Sequence, residues 1–392
     1  MIRLIKILTI IFVLFPVLSQ VEANTTPVKV AFVRDGYLWL KINDEEVKLT
    51  NEKATYPYPP SWSHDGKMIL YLKEVMVTIG SNQETQYELW VYDFEEKEHR
   101  KIFYDAYNPK WSPTENIVAF QSGGVLNISD LTSFYNIALG ISDYEWKPNG
   151  KGFIASSSAT IHPTGWLNPI LYTISIKDGY KNLTSLTNHV KELFVIPKEV
   201  TKDSVEVMSI YARDFNYAPN EKWISFIVSP TASMSMDSNM LCVISADGKE
   251  FETIDEIILH LDDPKWAYHK NLLGYIAGGG RIVFGFKNKD LKVTELPAYH
   301  SLTLTPPNYS EMGFTWVDDN SLIVSRVKES EWSNDPKKRP KPSLYNLDLS
   351  GQKQVEMTNP PKDKGDYQPK FLPSINKVSW IRKTETDIEG DL

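Results

Sequence analysis

Seven histidines, a single cysteine and a few acidic turns are the residues of this 392-residue chain whose types could do chemistry, and their spacing offers little. His64, His99, His162, His189, His260, His269 and His300 stand far apart, with none of the paired spacing that a zinc-type site requires. The acidic pairs Asp262-Asp263 and Asp318-Asp319 lack the alternating oxygen ligands of a dedicated calcium loop, so turn formation accounts for them. No G-x-S-x-G elbow, phosphate-cradling loop or H-E-x-x-H helix occurs. The string Gly278-Gly279-Gly280 joins two predicted strands and reads as a turn. Cys242 has no partner with which to form an internal disulfide. The expectation is a chain with no catalytic residue, no metal and no cofactor.

Aromatic residues in loops are the sharper candidates. Trp166 and Trp332 sit among polar residues, where an indole serves equally as a protein hot spot, a sugar-stacking platform or a plug that packs its own loop. His162 lies near the expected mouth of a central channel, and Met234 and Met236 could line an adaptable apolar contact.

The elements that must position these residues are written as a repeat. An aromatic-turn-strand phrase starts at Trp62 (WSHDGKMILYL), Trp111 (WSPTENIVAFQ), Trp146 (WKPNGKGFIAS), Tyr217 (YAPNEKWISFI), Trp266 (WAYHKNLLGYI), Trp316 (WVDDNSLIVSR) and Phe371 (FLPSINKVSWI). Most steps between these anchors match the ~40–50 residues of a four-stranded propeller blade, and the long step from Trp146 to Tyr217 holds an insertion. In each phrase an aromatic ends a short strand and is expected to pack against the next blade. Ser, Pro, Asp, Asn and Gly then turn the chain, and a β-branched run forms the second strand. The third strands are read at Glu88, Ile170, Met240, Arg281 and Ser343, and weak fourth strands at Lys181 and Leu291. The expected fold is an all-β propeller of four-stranded blades, seven favoured and six the alternative. Residues 24–392 would make one domain, with a closing blade shared between the strands from Val28 and those from Phe371.

These phrases resemble the repeats of the TolB-like β-propeller family, most closely at Trp62-Ser63-His64-Asp65-Gly66-Lys67, Trp111-Ser112-Pro113 and Trp146-Lys147-Pro148-Asn149-Gly150-Lys151. The resemblance implies a propeller that binds partners at the cell envelope. The extra N-terminal α/β domain of TolB itself has no counterpart here, because strand signals begin at Val28.

Where the chain elaborates the repeat points to a face. The turns between first and second strands are short, whereas the loops Glu74–Gln86, Ser156–Asn168, Ser229–Asn239 and Lys328–Pro342 and the link Asn188–Arg213 are long and share one side of the ring. Residues 1–23 read as a secretory signal, with Arg3 and Lys6 before the apolar run Ile7–Leu18. A formal charge of −8 argues against nucleic acid, and the basic run Lys337-Lys338-Arg339 with Lys341 reads as a solvated loop tip. The functional expectation is an exported, monomeric, non-enzymatic binding module for an envelope protein or cell-wall glycan. It is not an integral membrane protein once the signal is removed. The alternative is a metal-assisted polysaccharide lyase or other sugar-acting propeller enzyme.

Overall fold

The computed structural model describes residues 27–231, 238–258, 261–279, 285–350 and 353–384. They form an all-β propeller built almost wholly from antiparallel hairpins, with three short 3-10 turns as the helical content. Among the described residues no helix is long and apolar enough to cross a membrane.

Each phrase nucleates a unit. The Trp62 unit pairs Ser61–Trp62, Met68–Ile79, Asn82–Asp93 and Glu98–Phe103, and the Trp111 unit pairs Tyr107–Trp111, Val118–Ser122, Val125–Ser129 and Phe134–Leu139. The Trp146 unit uses Asp143–Trp146, Gly152–Ser156, Ile170–Ser175 and Val190–Val195. The Trp316 unit uses Tyr309–Asp318, Ser321–Lys328, Ser343–Asp348 and Gln354–Glu356. Between these two, the Tyr217 strands (from Tyr211 to Ile257) and the Trp266 strands (from Lys265 to Thr303) are joined through the pair Ile257 and Ala277 into one eight-stranded sheet.

The blade count is therefore corrected: among the described residues there are five sheets of four or more strands, not seven or six. Two units fuse because the fourth strand of one reaches the second strand of the next. The ends fall short because Lys29–Arg34, Tyr37–Ile42 and Glu45–Lys48 make a three-stranded sheet, and Gly365–Leu372 with Lys377–Lys383 make only a hairpin. These two terminal sheets face one another across a cleft of about 730 Å³, walled by Val28 and Val30 on one side and Val378, Trp380 and Arg382 on the other.

The core lies between units, not within them. Ile117, Leu126 and Ile128 of the Trp111 unit pack against Tyr144, Trp146 and Phe153 of the next. Equivalent clusters join each later pair as far as the Trp316 unit, and Leu38 and Leu40 of the N-terminal sheet join Ile69 and Tyr71. Strands such as Gly152–Ser156, Trp223–Ser229 and Asn239–Ser245 are buried throughout, because both faces are covered. This explains why they read as continuous apolar runs rather than alternating ones.

The turns follow the phrase. In the first, the Ser63 hydroxyl donates to Asp65 Oδ1 and accepts the backbone N–H groups of Lys67 and Met68, while Gly66 takes φ 68°. Glycine at position 150 is also required by its neighbour, since a Cβ there would lie 2.1 Å from Thr114 Oγ1 of the adjoining turn.

Several boundaries differ from expectation. Lys181 lies in the 3-10 turn Tyr180–Asn182, and the fourth strand of that unit is Val190–Val195, whose alternation outweighs the Asn-Leu-Thr-Ser run before it. The Leu291 run is a third strand, Asp290–Glu295, followed by His300–Thr303 as the fourth; residues 281–284 lie outside the described residues. The expected loop Glu74–Gln86 is a continuation of two twelve-residue strands that pair out to Ile79 and Asn82. The inserted stretches of the Trp146 unit are likewise small hairpins, Ile161–His162 with Gly165–Trp166 and Glu199–Lys202 with Val205–Met208.

Candidate functional site

The first strand of each unit lies innermost around the central opening of a propeller, and consecutive first strands touch here. The phrase tryptophans tie them together. Trp111 Nε1 donates to the carbonyl of Ser61, Trp146 to that of Lys110, Trp266 to that of Asn216 and Trp316 to that of Lys265. In every case the acceptor is the residue just before the aromatic of the preceding unit. The indole thus reaches back, not forward as the sequence reading had it. Phe371, without an N–H in its ring, uses its backbone N–H on Thr315 Oγ1 instead.

Three residues before the last six aromatics stand Asn108, Asp143, Asp214, Asp263, Gly313 and Gln368, and the strand pairing shifts at or beside Asn108, Asp214, Gly313 and Gln368. Asn108, Asp214 and Gln368 have positive φ, which rotates their side chains out of the pleat. Asp143 joins three units. Its Oδ1 accepts from Asn108 Nδ2 at 2.7 Å, and its Oδ2 accepts the backbone N–H of Asp214 at 2.7 Å. Two lysines repeat one device, for Lys110 Nζ donates to the Tyr144 carbonyl and to Glu145 Oε2, and Lys265 Nζ to the Phe314 carbonyl and to Asp262 Oδ1. Burial works against the Lys110 charge, but Glu145 and Asp143 outweigh it and hold its pKa above the usual lysine range.

Asp214 differs from Asp143. It is exposed yet crowded by protein, and its carboxylate accepts no hydrogen bond among the described residues. That crowding, with Asp143 and Asp263 nearby, pushes its pKa up to about 6, against weaker opposition from Arg213 and Lys110. Burial likewise raises Asp262, partly offset by Lys265. The inner strands therefore carry two carboxylates that bind neighbouring strands, Asp143 and Asp262, and two exposed ones, Asp214 and Asp263, that accept no hydrogen bond among the described residues.

The residues singled out from the sequence are dispersed by the fold. Trp332 is held between Phe286, stacked at 6.2 Å, and the Arg339 guanidinium at 3.7 Å from its ring centroid, so it packs its own loop. Trp166 is half-buried and borders a small pocket with Lys198, Met208 and Ser209. His162 is exposed on the same hairpin, paired with Gly165. Met234 and Met236 lie outside the described residues. The structure thus places Trp166 and His162 on one hairpin and Trp332 on a separate loop.

Nor do the histidines converge. His99 bonds Tyr71 Oη and the Leu49 carbonyl, His189 the Ile137 carbonyl, and His269 the Asp319 carboxylate. His64 is exposed at a turn, His300 is exposed at the start of the strand His300–Thr303, and His260 lies outside the described residues. Among the described residues no three His, Cys, Asp or Glu side chains are placed to hold a metal ion.

Neither a family model nor a curated protein matches the chain. Solved structures do. Dipeptidyl peptidase 4 from Porphyromonas gingivalis superposes on 90% of this chain with a TM-score of 0.55 and 10% identity, over 54% of its own length. A puromycin-hydrolysing peptidase from Mycobacterium tuberculosis matches 85% of the chain, with a TM-score of 0.51, 13% identity and 52% of its own length covered. A further puromycin hydrolase matches 84% of the chain at a TM-score of 0.50 and 11% identity, over 50% of its length. The chain thus spans about half the length of the structures it matches. At these identities the likeness is one of fold. It nevertheless runs against the expectation of a non-enzymatic binding module, because the three structures named are all enzymes.

The inner-rim carboxylates were missed by sequence reasoning, which looked for motifs in the loops. Counting back three residues from each phrase aromatic would have found Asn108, Asp143, Asp214 and Asp263.

Proposed function

We propose that this chain serves a peptide-hydrolysing enzyme as its propeller, receiving peptide at the inner rim of the ring. The observation that carries this reading is the superposition of most of the chain on about half of each of two peptidases and a puromycin hydrolase. The chain itself offers no nucleophile elbow, so in this reading bond cleavage belongs to a hydrolase domain that the propeller accompanies. The propeller's part is selection and orientation. The rim chemistry agrees with such a task, since an unpaired Asp214 beside Asp143 and Asp263 favours the cationic end of a peptide over its carboxylate end. The leader-like residues 1–23 would direct export.

The test is peptide binding to the whole chain by calorimetry at pH 7, using short peptides with free and acetylated amino termini. Free amines are expected to bind, acetylation to abolish the signal, and Asp214→Asn to weaken it at least fivefold. Equal binding of both peptides, or of neither, overturns the rim assignment. Absence of peptidase activity in material co-purified with the chain from its own cells overturns the enzyme reading.

A further inference from the structure

The basic loop that reads as a solvated tip in the sequence walls a cavity. Residues 335–341 begin with the 3-10 turn Pro336–Lys338, capped by Asp335, and lead into the strand Ser343–Asp348. This loop and the link before the strand Gly365–Leu372 border an open cavity of about 820 Å³. Its walls include Lys337, Lys341 and Lys362, with Asp335 and Asp363, and Thr384 at one side.

The charges there are unbalanced. Residues 335–341 and 362–364 carry Lys337, Lys338, Arg339, Lys341, Lys362 and Lys364 against Asp335 and Asp363 alone. Asp335 is already engaged, since its Oδ1 accepts the Lys337 backbone N–H. Lys337, Lys338 and Lys362 are exposed and have no ion-pair partner among the described residues. In a chain of net charge −8, a basic cluster of this density favours an anionic occupant.

The sequence supplies one next to the wall. Thr384 is followed directly by Glu385, Asp387, Glu389 and Asp391, which alternate with Thr386, Ile388, Gly390 and Leu392. An extended run of these residues puts all four carboxylates on one side, because successive side chains of a strand point to opposite faces. At about 3.3 Å per residue, residues 385–392 reach about 26 Å, more than the roughly 9 Å breadth of such a cavity.

We propose that residues 385–392, which lie outside the described residues, dock across this cavity as an acidic strap, their carboxylates meeting Lys337, Lys338 and Lys362. Each exposed ion pair is weak by itself, but a tethered segment with four carboxylates meets the lysines at an effective concentration on the order of millimolar. The strap takes the place that an outside anion would otherwise fill, and salt loosens it. This inference is separate from the rim and does not depend on the peptidase reading.

The experiment is zero-length carbodiimide cross-linking of the full chain, with a mixture of isotope-labelled and unlabelled protein, and mass spectrometry of the linked peptides. The exposed pairs Lys67 with Glu95 and Lys287 with Glu331 serve as internal controls, and their links report an intact fold in every variant. The expected result is amide links from Lys337, Lys338 or Lys362 to the carboxylates of residues 385–391, formed within one molecule. They should fall at least fivefold in about 0.5 M sodium chloride. Lys337→Glu with Lys362→Glu should lower the links to Lys338 at least fivefold, and adding Glu385→Lys with Asp387→Lys should restore linkage between the two segments. Absence of these links while the control pairs react overturns the proposal, as do links unaffected by salt and charge reversal. Links found only between labelled and unlabelled molecules also overturn it and assign the cavity to a second copy of the chain.

Discussion

Asp214 and Glu311 are both carboxyl groups pushed toward the neutral form, but for different reasons and with different consequences. Asp214 is crowded at a wet surface, so its folded pKa of about 6 lies above the ordinary 3.8. The folded state then holds a proton that the unfolded chain has released, and stability falls as pH rises from about 4 through 6. Thermal melts across this range should show that decline, and Asp214→Asn should flatten it. A variant with an unaltered pH profile would mean that Asp214 titrates normally. Glu311, by contrast, is fully buried against Arg326, with Oε1 taking two guanidinium bonds and Oε2 left without a partner. Arg326→Met alone should cost about 3–5 kcal/mol in urea unfolding, because it strands a buried charge. The double change Glu311→Leu with Arg326→Met should recover most of that loss. Neither role is legible in the sequence, since Asp214 sits in an ordinary strand run and Glu311 differs from exposed glutamates only in what surrounds it.

At the scale of elements, the repeated tryptophan is both a core residue and a tie. Its recurrence was plain from spacing, but the indole N–H bond to the preceding unit depends on how the units are wound. Trp146 is almost fully buried and donates to a carbonyl within the ring. Trp146→Phe keeps the apolar bulk and removes the indole's bond to the Lys110 carbonyl, for an expected loss of about 0.5–1.5 kcal/mol. Trp266→Phe should lose less, because that ring is more exposed. Equal losses at the two sites, measured by chemical denaturation, would show that packing and not the hydrogen bond sets the cost. The long hairpin Met68–Asp93 shows the opposite limit of sequence reading. Its outer half, Glu74–Gln86, reads as a loop in the sequence, yet pairing continues to Ile79 and Asn82.

For the whole molecule the weak point is the seam between the first and last sheets. Six buried clusters join successive units, but none of them includes a residue of the C-terminal hairpin, and Lys377–Lys383 is at best half-buried. Lys29–Arg34 and Lys377–Lys383 each pair on one side only. Hydrogen exchange should therefore be fastest at these two strands among all strands of the ring and slowest at Trp223–Ser229 and Asn239–Ser245. Protection of the seam equal to that of the central strands would mean that the terminal sheets pair in solution and close the ring.

The repeat phrase by itself determined that the chain is an all-β propeller, where its turns fall and which aromatics recur, because strand alternation, turn residues and repeat length are local properties. Only the tertiary structure decided how many sheets form, in which direction each indole bonds, and which carboxylates meet at the inner rim. Those features depend on contacts between residues some 35 to 70 positions apart, such as Lys110 with Tyr144 and Asp143 with Asp214. No local pattern records which unit faces which.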